Sequence, residues 1–135
     1  MNYKNIKKVT ILGIGGKGSY YIAKFLHMIG AEIIGYDLKK SSNTKDLENL
    51  GIKINYRNPE HGEKLTGDFY LYTNDIPQNI QKVIKKDNRG MKSYEIGTFY
   101  HMLIKDFENK RMSKDIEKAF LKSDVAPLFK IDCNR

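Results

Sequence analysis

The sequence predicts an α/β domain built on an open, mostly parallel sheet of about five strands flanked by helices, with two extra helices at its carboxyl end. Three observations lead to this prediction. Short apolar runs alternate with amphipathic segments, glycine or proline separates most of them, and the last part of the chain shows only helical periodicity. With 135 residues, 40% of them hydrophobic, the chain is long enough to bury one core.

The first strand–helix–strand unit carries the strongest pattern. Residues 9–13 are a short apolar run that ends at a glycine, and residues 18–29 carry apolar side chains at spacings of three and four. Gly30 is a natural helix stop, and residues 32–36 form a second apolar run. Because parallel connections of this kind are right-handed, we expect the helix to cover one face of the sheet.

The same alternation continues to residue 96. Its predicted elements are a short helix at 43–51 with Leu47 and Leu50 inward, strands at 52–56 and 68–73, a helix from Pro77 and a strand at 92–96.

Two helical patterns follow. The inward residues are Phe99, Leu103 and Phe107 on the first helix and Ile116, Phe120 and Leu121 on the second, which begins near Ser113. We therefore predict a Rossmann-like unit at 1–96 and a helical extension at 97–135.

Composition narrows the possible partners. The net charge is +8, but lysine dominates and only four arginines are present, so the basic charge is typical of a solvated surface and does not favour nucleic acid. No apolar run of about 18 residues exists, so we expect no membrane partner. The single cysteine, Cys133, excludes an internal disulfide and is interpreted as an unreactive thiol in a cytoplasmic protein.

A glycine cluster follows the first strand, where such sheets bind ligands. Gly13, Gly15 and Gly18 satisfy the pattern G-x-G-x-x-G, with Gly16 as an additional glycine and Lys17 as a possible point charge. The glycines would permit a tight turn, close approach of a phosphate, and packing of helix on strand, while the helix start holds the anion. The alternative is a glycine-rich turn without a ligand.

Polar residues also follow the second and fourth strands. Asp37 lies 19 residues after Gly18, where a redox dinucleotide domain places the acidic residue that binds ribose and favours NAD over NADP. A turn or a helix-capping aspartate is the alternative. Thr73, Asn74 and Asp75 either bind a ligand or cap the following helix.

Metal or catalytic chemistry is not indicated. His27, His61 and His101 are scattered, without a partner at metal-ligand spacing. The patterns G-x-S-x-G, H-E-x-x-H and G-x-x-x-x-G-K-[ST] do not occur. We therefore assign no catalytic residue and no metal.

Four sequence elements, in order, resemble the amino-terminal domain of the Mur ligases of peptidoglycan synthesis. They are the G-I-G-G-x-G loop, the strand ending "GYD", the S-x-x-T pattern of Ser41 and Thr44 leading into "LENLG", and a strand end before Ile-Pro, "YTNDIP". The similarity covers residues 9 to about 80. It is greatest to the branch of the family that comprises the ligase of UDP-N-acetylmuramate and its murein-tripeptide-recycling relative.

The resemblance implies a domain that binds the UDP part of UDP-N-acetylmuramate or a related UDP-sugar. It places Gly15, Gly16, Lys17 and Gly18 at the diphosphate, Asp37, Ser41 and Thr44 on the nucleotide side, and Thr73, Asn74 and Asp75 on the opposite wall.

The family reaction activates the muramoyl carboxylate with ATP and then joins it to an amine. We therefore expect ATP and Mg²⁺ for the full-length ligase, no cofactor in this chain, and no turnover by this chain alone. Its partners would be the central and C-terminal domains of the parent ligase. Two alternatives remain: an NAD-binding domain of an oxidoreductase or nucleotide-sensing regulator, and a non-catalytic interaction domain whose glycine loop is structural.

Overall fold

In the computed structural model, which describes residues 1–125, strands and helices alternate along the chain as the sequence predicts. The predicted strands and helices are present within these residues, and those with predicted bounds begin and end within two residues of them. A short 3-10 helix at the amino end was not predicted. In chain order the elements are a 3-10 helix at Tyr3–Asn5, β1 at Lys8–Leu12, α1 at Lys17–Met28, β2 at Glu32–Tyr36, α2 at Ser42–Asn49, β3 at Lys53–Asn55, β4 at Phe69–Tyr72, α3 at Gln78–Asp87, β5 at Lys92–Glu95, α4 at Ile96–Glu108 and α5 at Lys114–Lys122.

The sheet is parallel throughout and has the strand order β3-β2-β1-β4-β5. Leu12 at the end of β1 pairs with Tyr36 of β2 on one side and Tyr72 of β4 on the other. The carboxyl ends of these three strands therefore meet at one edge. The strand order reverses between β1 and β4, which makes this edge the topological switch point at which open α/β sheets bind ligands.

The larger part of the core lies on the sheet face that α1 covers. Phe25 of α1 contacts Phe120 of α5 edge-on, with ring centroids 5.9 Å apart, and Phe107 of α4 lies 4.8 Å from Phe120. Phe99 of α4 stacks at 5.5 Å on Phe69 of β4. Helices α4 and α5 thus pack in the same core as the sheet, and the predicted boundary at residue 96 falls where β5 passes directly into α4.

A smaller cluster lies on the opposite face. It joins Tyr36 and Tyr70 of the strands to Ile84 of α3 and to Leu65 of the long loop between β3 and β4. Both faces of the sheet are thus covered by apolar clusters, which explains why the strands β1 and β4 are almost continuously apolar.

A buried hydrogen bond joins the amino end of the described chain to α4. Tyr3 donates its hydroxyl to Asp106 Oδ2 at 2.6 Å, and both residues are less than 10% exposed. Burial and the bond to this carboxylate raise the pKa of the Tyr3 hydroxyl far above its ordinary value. The contact spans 103 residues, so it forms only when the whole core is assembled.

Two predicted inward positions are wrong. Leu50 is 43% exposed and Leu121 is 50% exposed. Helix α2 ends at Asn49, and Gly51, with φ of +93°, turns the chain toward β3, so Leu50 lies past the buried stripe. Leu121 follows Ile116 by five positions, which is about 140° around the helix, so the two side chains lie on different faces. Cys133 and the end of the predicted extension lie outside the described residues.

Candidate functional site

The glycine loop between β1 and α1 is a tight turn at the switch point. Gly13 has φ of +79°, a conformation that glycine adopts without strain. Gly13 and Ile14 both donate their N–H groups to Tyr36 O, at 2.7 and 3.1 Å, and Gly16 N donates to Gly13 O at 3.0 Å. These bonds fasten the loop to the end of β2.

Asp37, the first residue after β2, completes this attachment. Its Oδ2 accepts the N–H of Gly15 at 2.8 Å, and its Oδ1 accepts the N–H of Lys39 at 3.0 Å. The cap of α2 is Ser41, so the helix-capping alternative for Asp37 is wrong, whereas the bond to Lys39 N, two residues further on, is the local contact of a turn. The carboxylate instead holds two backbone segments together beside the loop.

Two positions of the loop have room only for glycine. A Cβ on Gly13 would lie 2.5 Å from Thr73 Oγ1, and one on Gly15 would lie 2.8 Å from Thr44 Cγ2 and 2.9 Å from Asp37 Oδ2. The backbone therefore approaches its neighbours too closely for any side chain. At Gly16, by contrast, the nearest atom would be 3.3 Å away.

Gly18 performs the packing task expected of the last glycine, against a different element. A Cβ there would lie 3.3 Å from Ile96 Cγ2. The close approach is therefore to the first residue of α4 and lets the two helices α1 and α4 pack closely, whereas the expectation was packing of helix on strand.

The amino end of α1 is open. Its N-cap is Gly16, which has no side chain, and the first N–H to bond in the helical pattern is that of Tyr20, to Gly16 O at 2.9 Å. The N–H groups of Lys17, Gly18 and Ser19 precede it and have no acceptor within the helix. Together with the helix dipole they favour an anion at this point.

Ser41 and Thr44 form a capping box at the start of α2. Ser41 Oγ accepts the N–H of Thr44 at 3.2 Å, and Ser41 N donates to Thr44 Oγ1 at 2.8 Å. Thr44 is fully buried. One turn of the same helix is tied to the glycine loop, because Asn43 Nδ2 donates to Gly15 O at 3.1 Å.

The polar residues after β4 do not cap α3. The N-cap of α3 is Pro77, and no side chain donates or accepts a capping bond there. Thr73 lies against Gly13 of the glycine loop, and Thr73 and Asp75 both line the cavity at the switch point. Asn74 and Asp75 are both exposed, but Asn74 is not part of the lining. Capping alone, the alternative explanation for these residues, is therefore wrong.

These segments enclose an open cavity of about 390 Å³. It lies between the glycine loop, the segment after β2 and the segment after β4. Its lining consists of Gly13, Gly15, Gly16, Asp37, Leu38, Lys39, Ser41, Asn58, Thr73, Asp75, Ile76 and Pro77.

Seven of the eleven predicted site residues line this cavity, and four do not. The four outside the lining are Lys17, Gly18, Thr44 and Asn74. Leu38 and Lys39 were not predicted, although they follow Asp37 directly, and no sequence signal marks Asn58. Whether any of these residues contacts a ligand stays a prediction.

A polar cluster secures the loop that carries Asn58. Arg57 makes two parallel hydrogen bonds to the carboxylate of Glu63, at 2.6 and 3.1 Å, and Tyr36 donates its hydroxyl to Glu63 Oε2 at 2.7 Å. The guanidinium hydrogen bond, followed by that of Tyr36, lowers the pKa of Glu63 to about 2. Burial and the bond to Glu63 raise the pKa of Tyr36 to about 12.

The histidines form no site in the described part of the chain. His61 is an exposed side chain 3.9 Å from Asp87, and no group of three potential metal ligands occurs within residues 1–125. No helix in that range is long and apolar enough to cross a membrane.

The sheet order, the glycine loop and the cavity at the switch point define a Rossmann-like α/β domain. A solved structure with this fold is SirC, a precorrin-2 dehydrogenase, with a TM-score of 0.56 over 69% of this chain and 46% of that chain. Sequence identity to it is 18%, so the likeness concerns the fold alone.

The model of the "Mur ligase family, catalytic domain" matches residues 8–108. The chain therefore belongs to the Mur ligase family. Similar curated proteins carry the name UDP-N-acetylmuramate–L-alanine ligase. One from Caldicellulosiruptor saccharolyticus is 32% identical over 77% of this chain, and one from Campylobacter jejuni is 36% identical over 64% of it. The chain spans only 23% and 20% of their respective lengths.

Proposed function

We propose that this chain is the substrate-recognition domain of a peptidoglycan Mur ligase and that its cavity binds the UDP part of UDP-N-acetylmuramate. The observation that carries the proposal is the position of the cavity, which lies at the switch point beside the open amino end of α1. Membership of the family and the names of its relatives supply the identity of the ligand.

The diphosphate would lie at the glycine loop. The N–H groups of Gly15 and Gly16 are already bonded within the protein, so these glycines contribute space rather than donors. The donors for the anion would be the first-turn N–H groups of Lys17, Gly18 and Ser19, which lie outside the cavity lining but directly follow Gly16 of that lining. Lys39 is a lysine of the cavity lining and adds positive charge.

The two carboxylates of the lining limit how the ligand is oriented. Asp37 and Asp75 repel a diphosphate, so the phosphates lie toward α1 and the nucleoside or solvent faces these side chains. Asp37 keeps acceptor capacity beyond its two backbone bonds, which suits the hydroxyl groups of a ribose.

Amino-acid ligation would belong to the rest of the parent ligase. The relatives are four to five times longer than the matched part, and we assign the ATP- and Mg²⁺-dependent steps to their central and C-terminal domains. No residue of this chain is proposed to be catalytic, and the cytoplasmic location stays a prediction.

The second candidate is an NAD-binding domain. It is favoured by Asp37 at the end of β2, where such domains hold the adenosine ribose. Calorimetric titration with UDP-N-acetylmuramate, UDP and NAD separates the candidates. We expect the two uridine ligands to bind and NAD not to bind. NAD binding without UDP binding would refute the proposal, and no binding of any ligand would favour a structural glycine loop in an interaction domain.

A pair of variants locates the site. Gly16→Ala places a methyl group beside the open end of α1 and should weaken UDP binding about fivefold or more. Asn79→Ala, on the exposed side of α3 and outside the cavity lining, is the matched control and should bind UDP as the wild type does. Equal affinities of the two variants would place the ligand elsewhere.

A further inference from the structure

The loop between β3 and β4 brings one amide side chain into the cavity wall. Asn58 is half-buried and lines the cavity, and the following Pro59 is buried. The side-chain amide of Asn58 has no hydrogen-bond partner among residues 1–125. Its amide donor and acceptor are therefore both unpaired at a residue of the cavity lining, where a ligand can reach them.

Asn58 is held in this position by the residues on either side of it. Arg57 Nη1 donates to the backbone oxygen of Asn58 at 3.1 Å and to Glu63 Oε1 at 2.6 Å. Glu63 in turn accepts the N–H of Glu60 at 2.7 Å and the hydroxyl of Tyr36 at 2.7 Å. The loop is thus fixed to the end of β2, so Asn58 is presented by a braced segment.

The order of the strands places Asn58 at the nucleoside end of the cavity. The glycine loop follows β1, Asp37 follows the neighbouring strand β2, and the Asn58 loop follows β3, the next strand outward. In nucleotide-binding sheets of this type the phosphates lie at the first loop and the ribose at the end of β2. The base therefore extends toward β3.

We propose that Asn58 hydrogen-bonds the base of the bound nucleotide and that Glu63 is a positioning residue for it. An amide offers one donor and one acceptor side by side, which matches the N3–H and O4 of uracil. This inference rests on the proposed function, because it names a contact within the same site.

The test compares ligands that keep or lack the nucleoside. Titration calorimetry is carried out with UDP, UMP and inorganic pyrophosphate on the wild type, on Asn58→Ala and on the control Asn79→Ala. Asn58→Ala should weaken the binding of UDP and UMP about two- to tenfold, because one or two hydrogen bonds are lost. The affinity for pyrophosphate should change by no more than about twofold. Asn79→Ala should change none of the three.

The possible failures are distinguishable. If the wild type does not bind UDP, the proposed function fails, and the inference fails with it. If the wild type binds UDP and Asn58→Ala binds it equally well, the inference alone is wrong. An equal loss for pyrophosphate would also overturn it, because Asn58 would then contact the phosphates.

The role of Glu63 is tested by a double-mutant cycle. Glu63→Gln keeps the shape of the side chain but removes the charge that holds Arg57. If Glu63 acts through Asn58, Glu63→Gln should weaken the binding of UMP more than the binding of pyrophosphate. The double variant should then bind UMP no more weakly than Asn58→Ala alone. Additive losses, or equal losses for both ligands, would refute the positioning role.

Discussion

Replacing Gly15 with alanine tests how the glycine loop is held. The new Cβ would lie 2.8 Å from Thr44 Cγ2 and 2.9 Å from Asp37 Oδ2, so either Thr44 or the loop must move. Overpacking of this kind costs about 1–3 kcal/mol. Moving the loop instead weakens the 2.8 Å bond from Gly15 N to the Asp37 carboxylate, which contributes about 1.5–3 kcal/mol. We expect a net loss of about 2 kcal/mol, since alanine also restricts the unfolded chain.

The assay is urea unfolding followed by circular dichroism, with Gly16→Ala as the control. For a domain of this size the expected loss lowers the midpoint by roughly 1 M. Gly16 has φ of −63° and its nearest neighbour to a new Cβ is at 3.3 Å, so we expect its variant to lose less than about 1 kcal/mol. Equal losses for the two variants, or a loss below about 0.5 kcal/mol for Gly15→Ala, would refute the reasoning.

Three further predictions concern charge and buried polarity. Lys39→Met should weaken UDP about two- to fivefold in low-salt calorimetry, whereas Lys40→Met, outside the cavity lining, should bind as the wild type does; equal effects would contradict the assigned lining. Tyr3→Phe removes the donor to the buried Asp106 carboxylate and should lower the free energy of urea unfolding by about 1–3 kcal/mol; an unchanged midpoint would show that the bond is not important. The pKa of Glu63 is lowered from 4.5 to about 2, so its stabilising contribution is complete above about pH 4.5 and is lost as the pH falls toward 2. The difference in unfolding free energy between the wild type and Glu63→Gln should shrink over that range, and a difference independent of pH would contradict the lowered pKa.

The elements of the fold were predictable because each carries its own local pattern. The buried runs of β1 and β4 and the stripe of α1 depend on neighbours within a few residues. Two inward positions were predicted wrongly. Leu50 lies just beyond the end of its helix, and at Leu121 the apolar spacing fits two neighbouring residues. Leu121 follows the equally apolar Phe120, and only one of the two can face the core.

The part of the candidate site that lies at the carboxyl ends of β1, β2 and β4 was predictable, because parallel neighbouring strands bring their ends together. Gly15 and Asp37 are 22 residues apart, yet β1 and β2 bring them into hydrogen-bond contact. Thr44 belongs to an S-x-x-T pattern that also signals a capping box, and this structural use keeps its hydroxyl out of the cavity lining. Asn58 was not predictable, because the loop between β3 and β4 has no periodicity and is placed by the contacts of Glu63.

The hydrogen bonding of the glycine loop has a consequence for the thermodynamics of ligand binding. The N–H groups of residues 13–16 each have an acceptor within the protein, in an unbroken series. The loop is therefore preorganised, and its ordering entropy is lost during folding instead of at the encounter with a ligand. We therefore expect the loop to keep its conformation when a ligand binds. Amide hydrogen exchange at these four positions should already be slow in the free protein.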